Sequence, residues 1–227
     1  MPGAIHREGR DCAVFDLDKT LLSADSTVMW MRGMLRASPW KLPAVFVVFP
    51  VALLLLHLPS ARRTGASVLL WIATFGFDEA GLKQSIDAFA ARFEQGMPSM
   101  RWFDDGIRAL RKHLVAGHRV VVVTAAPQWL AARLLTSLGD NVPVIGSSLR
   151  RAGRGWVLER HCRGAEKCSM LFEAGYGDAW QWAYSDSEDD APMLALAQEA
   201  FLVNANVKTR RLAAERGAPH ATVVNWT

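Results

Sequence analysis

Two aspartates separated by one residue, Asp16 and Asp18 in DLDKT, follow the short apolar run Cys12–Phe15. A carboxylate can attack a phosphoryl group to give an acyl phosphate. A second carboxylic acid beside it can protonate the leaving oxygen and then deprotonate an attacking water. Two more aspartates, Asp186 and Asp190, lie in SDSEDD after another apolar run. So many anions around a phosphate need a hard cation, and oxygen-only ligands favour Mg²⁺. Lys167, just inside an expected helix, can offset charge on phosphoryl oxygens and on the nucleophile. Thr124, directly after RVVVV, can donate its hydroxyl to the same phosphate. Each residue alone has a plainer reading: a solvated turn, a helix cap, a surface lysine, an acidic helix start that suits the macrodipole. The order strand–DxDxT, strand–T, Lys, strand–DxxxD favours the chemical reading.

For these groups to meet, their elements must end at one edge of one sheet. Cys12–Phe15 reads as a buried strand. From Leu21 to about Pro98 the pattern is helical. Asp78 is an expected N-cap before Leu82, Ile86, Phe89 and Phe93, and Gly96 and Pro98 break the chain. A helix over about Trp102–Val115 precedes the strand Arg119–Val123, and Pro127 opens a helix ending near Gly139. Val142–Ile145 reads as a strand, and Ser148–Arg160 as a hairpin turning over Arg151–Gly155. A helix over about Ala165–Ala174 follows. Trp182–Tyr184 is a strand with a short helix beyond the acidic run. Phe201–Val203 is another strand, and Thr222–Val224 an edge strand. This alternation specifies an α/β fold with a mostly parallel sheet covered on both faces. Its site lies at the carboxyl ends of the strands, where Asp16, Asp18, Thr124 and Asp186 fall.

Length and composition fit one such core with one insertion: 227 residues, 51% hydrophobic and 21% charged, which excludes a disordered chain. The net charge of +4 is too small to imply a nucleic-acid partner. Its distribution is more informative. No acidic residue occurs from Ser26 to Phe77, while Arg32, Arg36, Lys41, Arg62 and Arg63 contribute +5, leaving −1 for the remainder. The same segment holds the apolar run Leu42–Leu58, at the lower limit of the roughly 17–25 residues a spanning helix needs. Pro43 and Pro50 interrupt it, and Pro50 is expected to kink or split a helix. Asp16 precedes this run and Thr124, Lys167 and Asp186 follow it, so a single crossing would divide the site. Ala66–Phe77 is short for a second span. A re-entrant or interfacial helical hairpin fits better, with Lys41 and Arg62–Arg63 at anionic headgroups and Trp30, Trp40 and Trp71 near the interface. A run buried inside an ordinary soluble cap is the alternative. The three cysteines have no zinc or redox spacing and read as reduced thiols. The N-terminal MPGAIHREGRD contains no apolar leader, so no secretory signal is expected.

The ordered motifs DLDKT, VVVVT, Lys167 in GAEKC and YSDSEDDAP resemble those of the haloacid dehalogenase (HAD) superfamily of phosphohydrolases. The resemblance spans nearly the whole chain and implies a Rossmann-like core. It implies Asp16 as nucleophile and Asp18 as general acid and base. Mg²⁺ would be held by the Asp16 and Asp186 side chains and the Asp18 backbone carbonyl. Thr124, the amide of Ala125 and Lys167 would bind phosphate, and Asp190 would support the metal site. Lys19 stands where many members have Gly. The long gap between Asp18 and Thr124 implies a helical cap, as in the phosphoserine phosphatase-like branch. The expected division is a core of 1–20 and 99–227 and a cap of 21–98. LLWIATFG, GWVLERHCRGAEK and YSDSEDDAPML further resemble the membrane-associated phosphatidylglycerophosphatase C branch of bacteria. That implies dephosphorylation of phosphatidylglycerophosphate in phospholipid biosynthesis, at the cytoplasmic face of the inner membrane. Arg63, or alternatively Arg62, with Lys41, would then meet the lipid headgroup. A soluble, cytoplasmic phosphatase of phosphoserine or a phosphoalcohol is the alternative. The acid-free segment argues against a zwitterionic substrate. A catalytically idle membrane- or partner-binding protein is a third reading, opposed by the full motif set.

Overall fold

The structure is a computed structural model and describes residues 11–58 and 61–227. The expectation for the N-terminal leader falls on residues 1–10, outside this range. The central strand β1 (Cys12–Phe15) is buried throughout. It pairs in parallel with β2 (Arg119–Pro127) on one side and β5 (Trp180–Ser185) on the other. Phe15 stands opposite both Val122 and Tyr184. Beyond β2 lies β3 (Val144–Ala152), then antiparallel β4 (Gly155–Arg160). Beyond β5 lie parallel β6 (Ala197–Val203) and β7 (Thr222–Val224). Alternate residues of β1 serve opposite faces of the sheet. Ala13 and Phe15 join one apolar cluster with Val120 and Val122, while Cys12 and Val14 join a second with Val121 and Val123.

The helices α1 (Ser26–Ala37), α2 (Leu42–His57), α3 (Arg62–Thr74) and α4 (Glu79–Glu94) lie between β1 and β2, followed by α5 (Asp104–Val115). The rest are α6 (Gln128–Leu135), α7 (Ala165–Glu173), α8 (Ala191–Ala195) and α9 (Val207–Glu215). Asp25 and Asp78 cap α1 and α4, their carboxylates accepting from the amides of Val28 and Gly81 at 2.8 Å. Trp30, Leu82, Ile86 and Phe89 of the inserted helices belong to the same apolar cluster as Phe15 and Val122. The insertion therefore shares its core with one face of the sheet.

Local readings differ from the structure in four places. The strand expected at Val142–Ile145 and the first arm of the hairpin are one strand, β3, because residues through Ser147 pair with β2 before Ser148 turns to β4. Pro127 closes β2, and α6 begins one residue later. Helix α9 has only Ala213 buried, so its sequence carries no apolar stripe to read. Finally, α2 runs unbroken through Pro50. An interior proline removes one helical hydrogen bond and costs about 3 kcal/mol, and at Pro50 the ring projects into open surroundings.

Helix α3 is tied to the sheet edge. The Trp71 indole donates to the Ala152 carbonyl at 2.8 Å, and the amides of Trp156 and Leu158 donate to the hydroxyls of Thr74 and Ser67 at 2.9 and 3.2 Å. This covers the outward ladder positions of β4 and leaves α3 unavailable as a second span. Helix α2 packs on α3 where Gly65 lets the backbones meet; a Cβ there would stand 2.8 Å from the Ala52 carbonyl oxygen. Ala52 is the one buried residue of α2, so the run is not enclosed in a cap.

Candidate active site

Strand pairing delivers the first carboxylate. The Asp16 amide donates to the Tyr184 carbonyl at 2.9 Å, which carries the β1–β5 ladder one residue past Phe15 and fixes Asp16 at the sheet edge. From α7 the Lys167 ammonium reaches into this edge. Its Nζ donates to Asp16 Oδ1 and to Asp190 Oδ2, each at 2.6 Å, and the side chain is 2% exposed. Burial alone would release the lysine proton; the two carboxylates hold it on, well above the usual ammonium range. Asp190 is fixed a second time by the Ser185 hydroxyl, which donates at 2.7 Å. Thr20 bridges the two acidic loops: its hydroxyl donates to Asp16 Oδ2 at 3.2 Å and accepts from the Asp186 amide at 2.9 Å.

The remaining carboxylates are pushed toward the protonated form. Burial raises Asp16 above the usual carboxylate range against the pull of Lys167. Burial, then the charge of Asp25, raises Asp18 to about 8. Burial, then the charges of Asp16 and Asp190, raises Asp186 to about 7. Asp18 turns away from Lys167, its Oδ1 accepting from the Ser26 amide at 2.8 Å. Between them Lys19 holds φ +60°, the left-handed conformation that glycine adopts freely. The glycine expected by resemblance thus has a backbone reason, and lysine adopts the same turn while adding a cation at the rim.

Asp16, Asp18, Lys19, Thr124, Lys167 and Asp186 line a small cavity of about 110 Å³. Ala125 and Asp190 also border it. The buried Thr124 hydroxyl accepts from the Ala126 amide at 3.1 Å. A larger chamber of about 530 Å³ adjoins it and shares Asp18, Asp25, Ala125, Arg163 and Asp189. Phosphate-sized space therefore opens onto room for a leaving group, walled by Val28, Met31, Leu69 and Leu158.

The cap residues named from sequence divide. Arg62 lines the larger chamber and donates to Asp189 Oδ2 at 2.9 Å. Arg63 does not reach it: its guanidinium donates to the Leu158 carbonyl at 3.3 and 3.1 Å and borders a separate groove with Trp71 and Arg150. Lys41 reaches neither a headgroup surface nor the chamber. It is buried, with Nζ on the Ala73 carbonyl at 2.8 Å and the Phe77 ring at 4.9 Å, and burial lowers its pKa. Of the tryptophans assigned to an interface, Trp30 is core and Trp71 is bound to β3, leaving Trp40 exposed. The argument against a zwitterionic substrate also fails, because Asp25, one residue before the acid-free segment, lines both cavities. Thr20, Asp25, Ser185, Arg163 and Arg216 were not singled out from sequence. Thr20, Ser185 and Arg163 lie inside or beside the motifs; Ser185 meets Asp190 five residues on, whereas Thr20 reaches Asp186 and Arg163 reaches Asp189 across the chain.

The two fully buried thiols are held protonated, Cys162 within reach of the charges of Lys167, Asp190 and Asp16. Burial raises Cys12 and Cys162 to about 11 and about 12, so neither is a thiolate near neutrality.

The profile of haloacid dehalogenase-like hydrolases matches residues 13–195. A Mycobacterium tuberculosis protein named phosphoserine phosphatase SerB1 is 28% identical over 96% of this chain and 75% of its own. A Bordetella pertussis protein of unknown function has the same fold, with a TM-score of 0.72 and 22% identity over 95% of this chain and 98% of that one. A phospho-aspartyl intermediate analogue of phosphoserine phosphatase aligns with a TM-score of 0.59 and 13% identity, covering 94% of this chain and 92% of the other. The chain belongs to the haloacid dehalogenase-like hydrolases and is a phosphatase of that family.

Proposed function

We propose that this protein hydrolyses a small phosphomonoester through an aspartyl-phosphate on Asp16. The observation that carries the reading is the ammonium of Lys167 lodged between Asp16 and Asp190, 2.6 Å from each, at the carboxyl ends of β1 and β5. Lys167 keeps Asp16 ionised and screens it from the approaching phosphoryl oxygens. The Thr124 hydroxyl and the Ala125 amide bind those oxygens. Asp16 attacks phosphorus and the ester oxygen departs with the proton that Asp18 carries. Asp18 then takes a proton from water as that water attacks the phosphoryl group, which frees phosphate and regenerates Asp16. An acid raised to about 8 holds its proton near neutrality, as the first half-reaction requires.

The donor set fits Mg²⁺. Among the described residues no three His, Cys, Asp or Glu side chains form a metal cluster. Two carboxylates and a backbone carbonyl suffice for a cation that keeps several waters and takes a phosphate oxygen. Asp186, whose proton affinity is raised by burial and then by the charges of Asp16 and Asp190, gains most from such a cation. The Asp16 and Asp186 side chains and the Asp18 carbonyl would hold it. Bound there, it would neutralise the phosphate against the surrounding carboxylates.

The substrate we favour is a soluble phosphorylated alcohol of the phosphoserine type, in the cytoplasm. The name of the mycobacterial relative supports it, as do Asp25 and Arg62, which set one anion and one cation at the wall of the leaving-group chamber. One observation favours a second reading, a lipid monoester such as phosphatidylglycerophosphate at the cytoplasmic face of a bacterial membrane. Pro39–His57 forms a helical stretch of mean hydropathy 2.0 that is 11% buried. Phosphate release from phosphoserine, phosphatidylglycerophosphate and phosphatidic acid, each with and without Mg²⁺, separates the readings. Mg²⁺-dependent turnover of phosphoserine is expected. Turnover confined to the lipids moves the assignment to the second reading, and no Mg²⁺-dependent release from any refutes both.

A further inference from the structure

Asp189 is held by three arginines from three parts of the chain. Its Oδ2 accepts from Arg62 Nη1 at 2.9 Å and Arg163 Nε at 3.1 Å, and its Oδ1 accepts from Arg216 Nη1 at 2.8 Å. Arg62 opens α3, Arg163 precedes α7, and Arg216 ends α9. One forked guanidinium balances the charge of one carboxylate. Three guanidinium groups around one carboxylate leave that cluster positive, although Asp18, Asp25 and Glu188 also line the larger chamber, and all three arginines line it with their side chains 27–46% exposed. Arg163 and Asp189 also line the phosphate-sized cavity, so the cluster stands at the junction of the two spaces. The imidazole of His161, on the same wall, is kept neutral by burial and then by Arg163 and Arg62.

We propose that Arg163, Arg216 and Arg62 form a second anion subsite, which the free enzyme fills with its own Asp189. The substrate would carry, besides the reacting monoester, a second anionic group that competes with Asp189 for these guanidinium groups. This rests on the phosphatase reading and deepens it: it names the substrate class as a doubly anionic phosphomonoester. A carboxylate and a phosphodiester share the required chemistry.

The test is calorimetric binding to the Mg²⁺-loaded full chain, using alkyl phosphonates over a graded series of methylene spacers. Each spacer ends in a methyl, a carboxylate or a methyl phosphodiester. At one spacer length an anionic end should bind about tenfold or more tightly than the methyl end, the scale of charge-assisted hydrogen bonds. Arg163→Gln and Arg216→Gln should each shrink that advantage. Asp189→Asn should enlarge it, because the internal competitor is gone, whereas a purely structural ion pair would give no such gain. The carboxylate and diester arms distinguish a small metabolite from a lipid headgroup. No advantage at any spacer in the wild-type chain, which needs no variant to fold, overturns the proposal. So does an advantage that survives both arginine variants or falls in Asp189→Asn. Phosphonates are not hydrolysed, so failure of the phosphatase reading would show separately, as intact phosphate esters beside a retained binding preference.

Discussion

The catalytic edge and helix α2 place their side chains on opposite wrong sides of the water boundary. At the edge, Lys167, Asp16 and Asp190 are charged groups no more than 6% exposed. In α2, Phe46 and Val47 are apolar groups 76% and 78% exposed. Buried charge is tolerated only when paired, and every one of these three charges has a partner at hydrogen-bond distance. Exposed oil has no such internal remedy. A helix apolar on nearly all sides needs a surrounding medium or a partner, and α3 supplies contact on one side only. The first region is stabilised by what the chain contains. The second is left to whatever the chain meets.

Substitutions can break that comparison, and the largest effect belongs to the edge. Asp16→Asn should lower phosphate release by three orders of magnitude or more, roughly the loss seen when a covalent nucleophile is removed, with an unchanged far-UV spectrum. Retained turnover would remove Asp16 from the reaction. Lys167→Met keeps the volume but leaves Asp16 and Asp190 without their shared cation, so chemical denaturation should report a loss of about 3–5 kcal/mol. Unchanged stability would mean that the two acids carry no charge in the folded protein.

Protonation sharpens the same contrast. Asp18 and Asp186 titrate near 8 and 7 in the folded chain, above the ordinary carboxylate value, so the folded state binds more protons than the unfolded one. Their contribution is complete at pH below the unfolded value and is lost as pH rises through 7 and 8. His113 and His161, both depressed to about 4, act in the other sense only below about pH 6.5. From pH 6.5 to 9 the melting temperature of the metal-free protein should therefore fall by several degrees, and Mg²⁺ should restore more of it at the high end. A flat profile would argue against buried, proton-retaining carboxylates.

The smallest effect should come from α2. Replacing Phe46 and Val47 with Ser alters exposed groups and should change stability by no more than about 0.5 kcal/mol. Flotation with anionic liposomes at low salt should fall in the variant if α2 meets lipid. Failure of the wild-type protein to float would leave α2 to a protein partner.

The gathering of Asp16, Lys167, Asp186 and Asp190 at one sheet edge was legible in sequence because strand ends and motif order are local properties. The runs Cys12–Phe15 and Arg119–Val123 announce buried strands, and the residues that follow them have nowhere to point but the carboxyl edge. The chamber was not legible in the same way. Arg62 and Arg63 are adjacent and chemically identical, and which one faces inward depends on the seating of α3 against β4. Lys41 read as a surface cation because its neighbours are apolar, yet the Ala73 carbonyl that it satisfies lies beyond α2, in α3. Asp189 hides in an acidic run, and its three arginines come from three distant segments. Such long-range placements depend on packing, not on local periodicity.

The pairing of β1 also sets an order of assembly. Phe15 joins Val122 and Tyr184, partners synthesised roughly a hundred residues or more after it. A four-residue strand has no stability alone, so Asp16 waits unplaced while α1–α4 emerge. Trp30, Leu82 and Phe89 already belong to the cluster that will receive Phe15. The inserted helices thus supply one wall of the core against which the sheet packs. Asp16 can be set in place only when the strands on both sides of β1 are present.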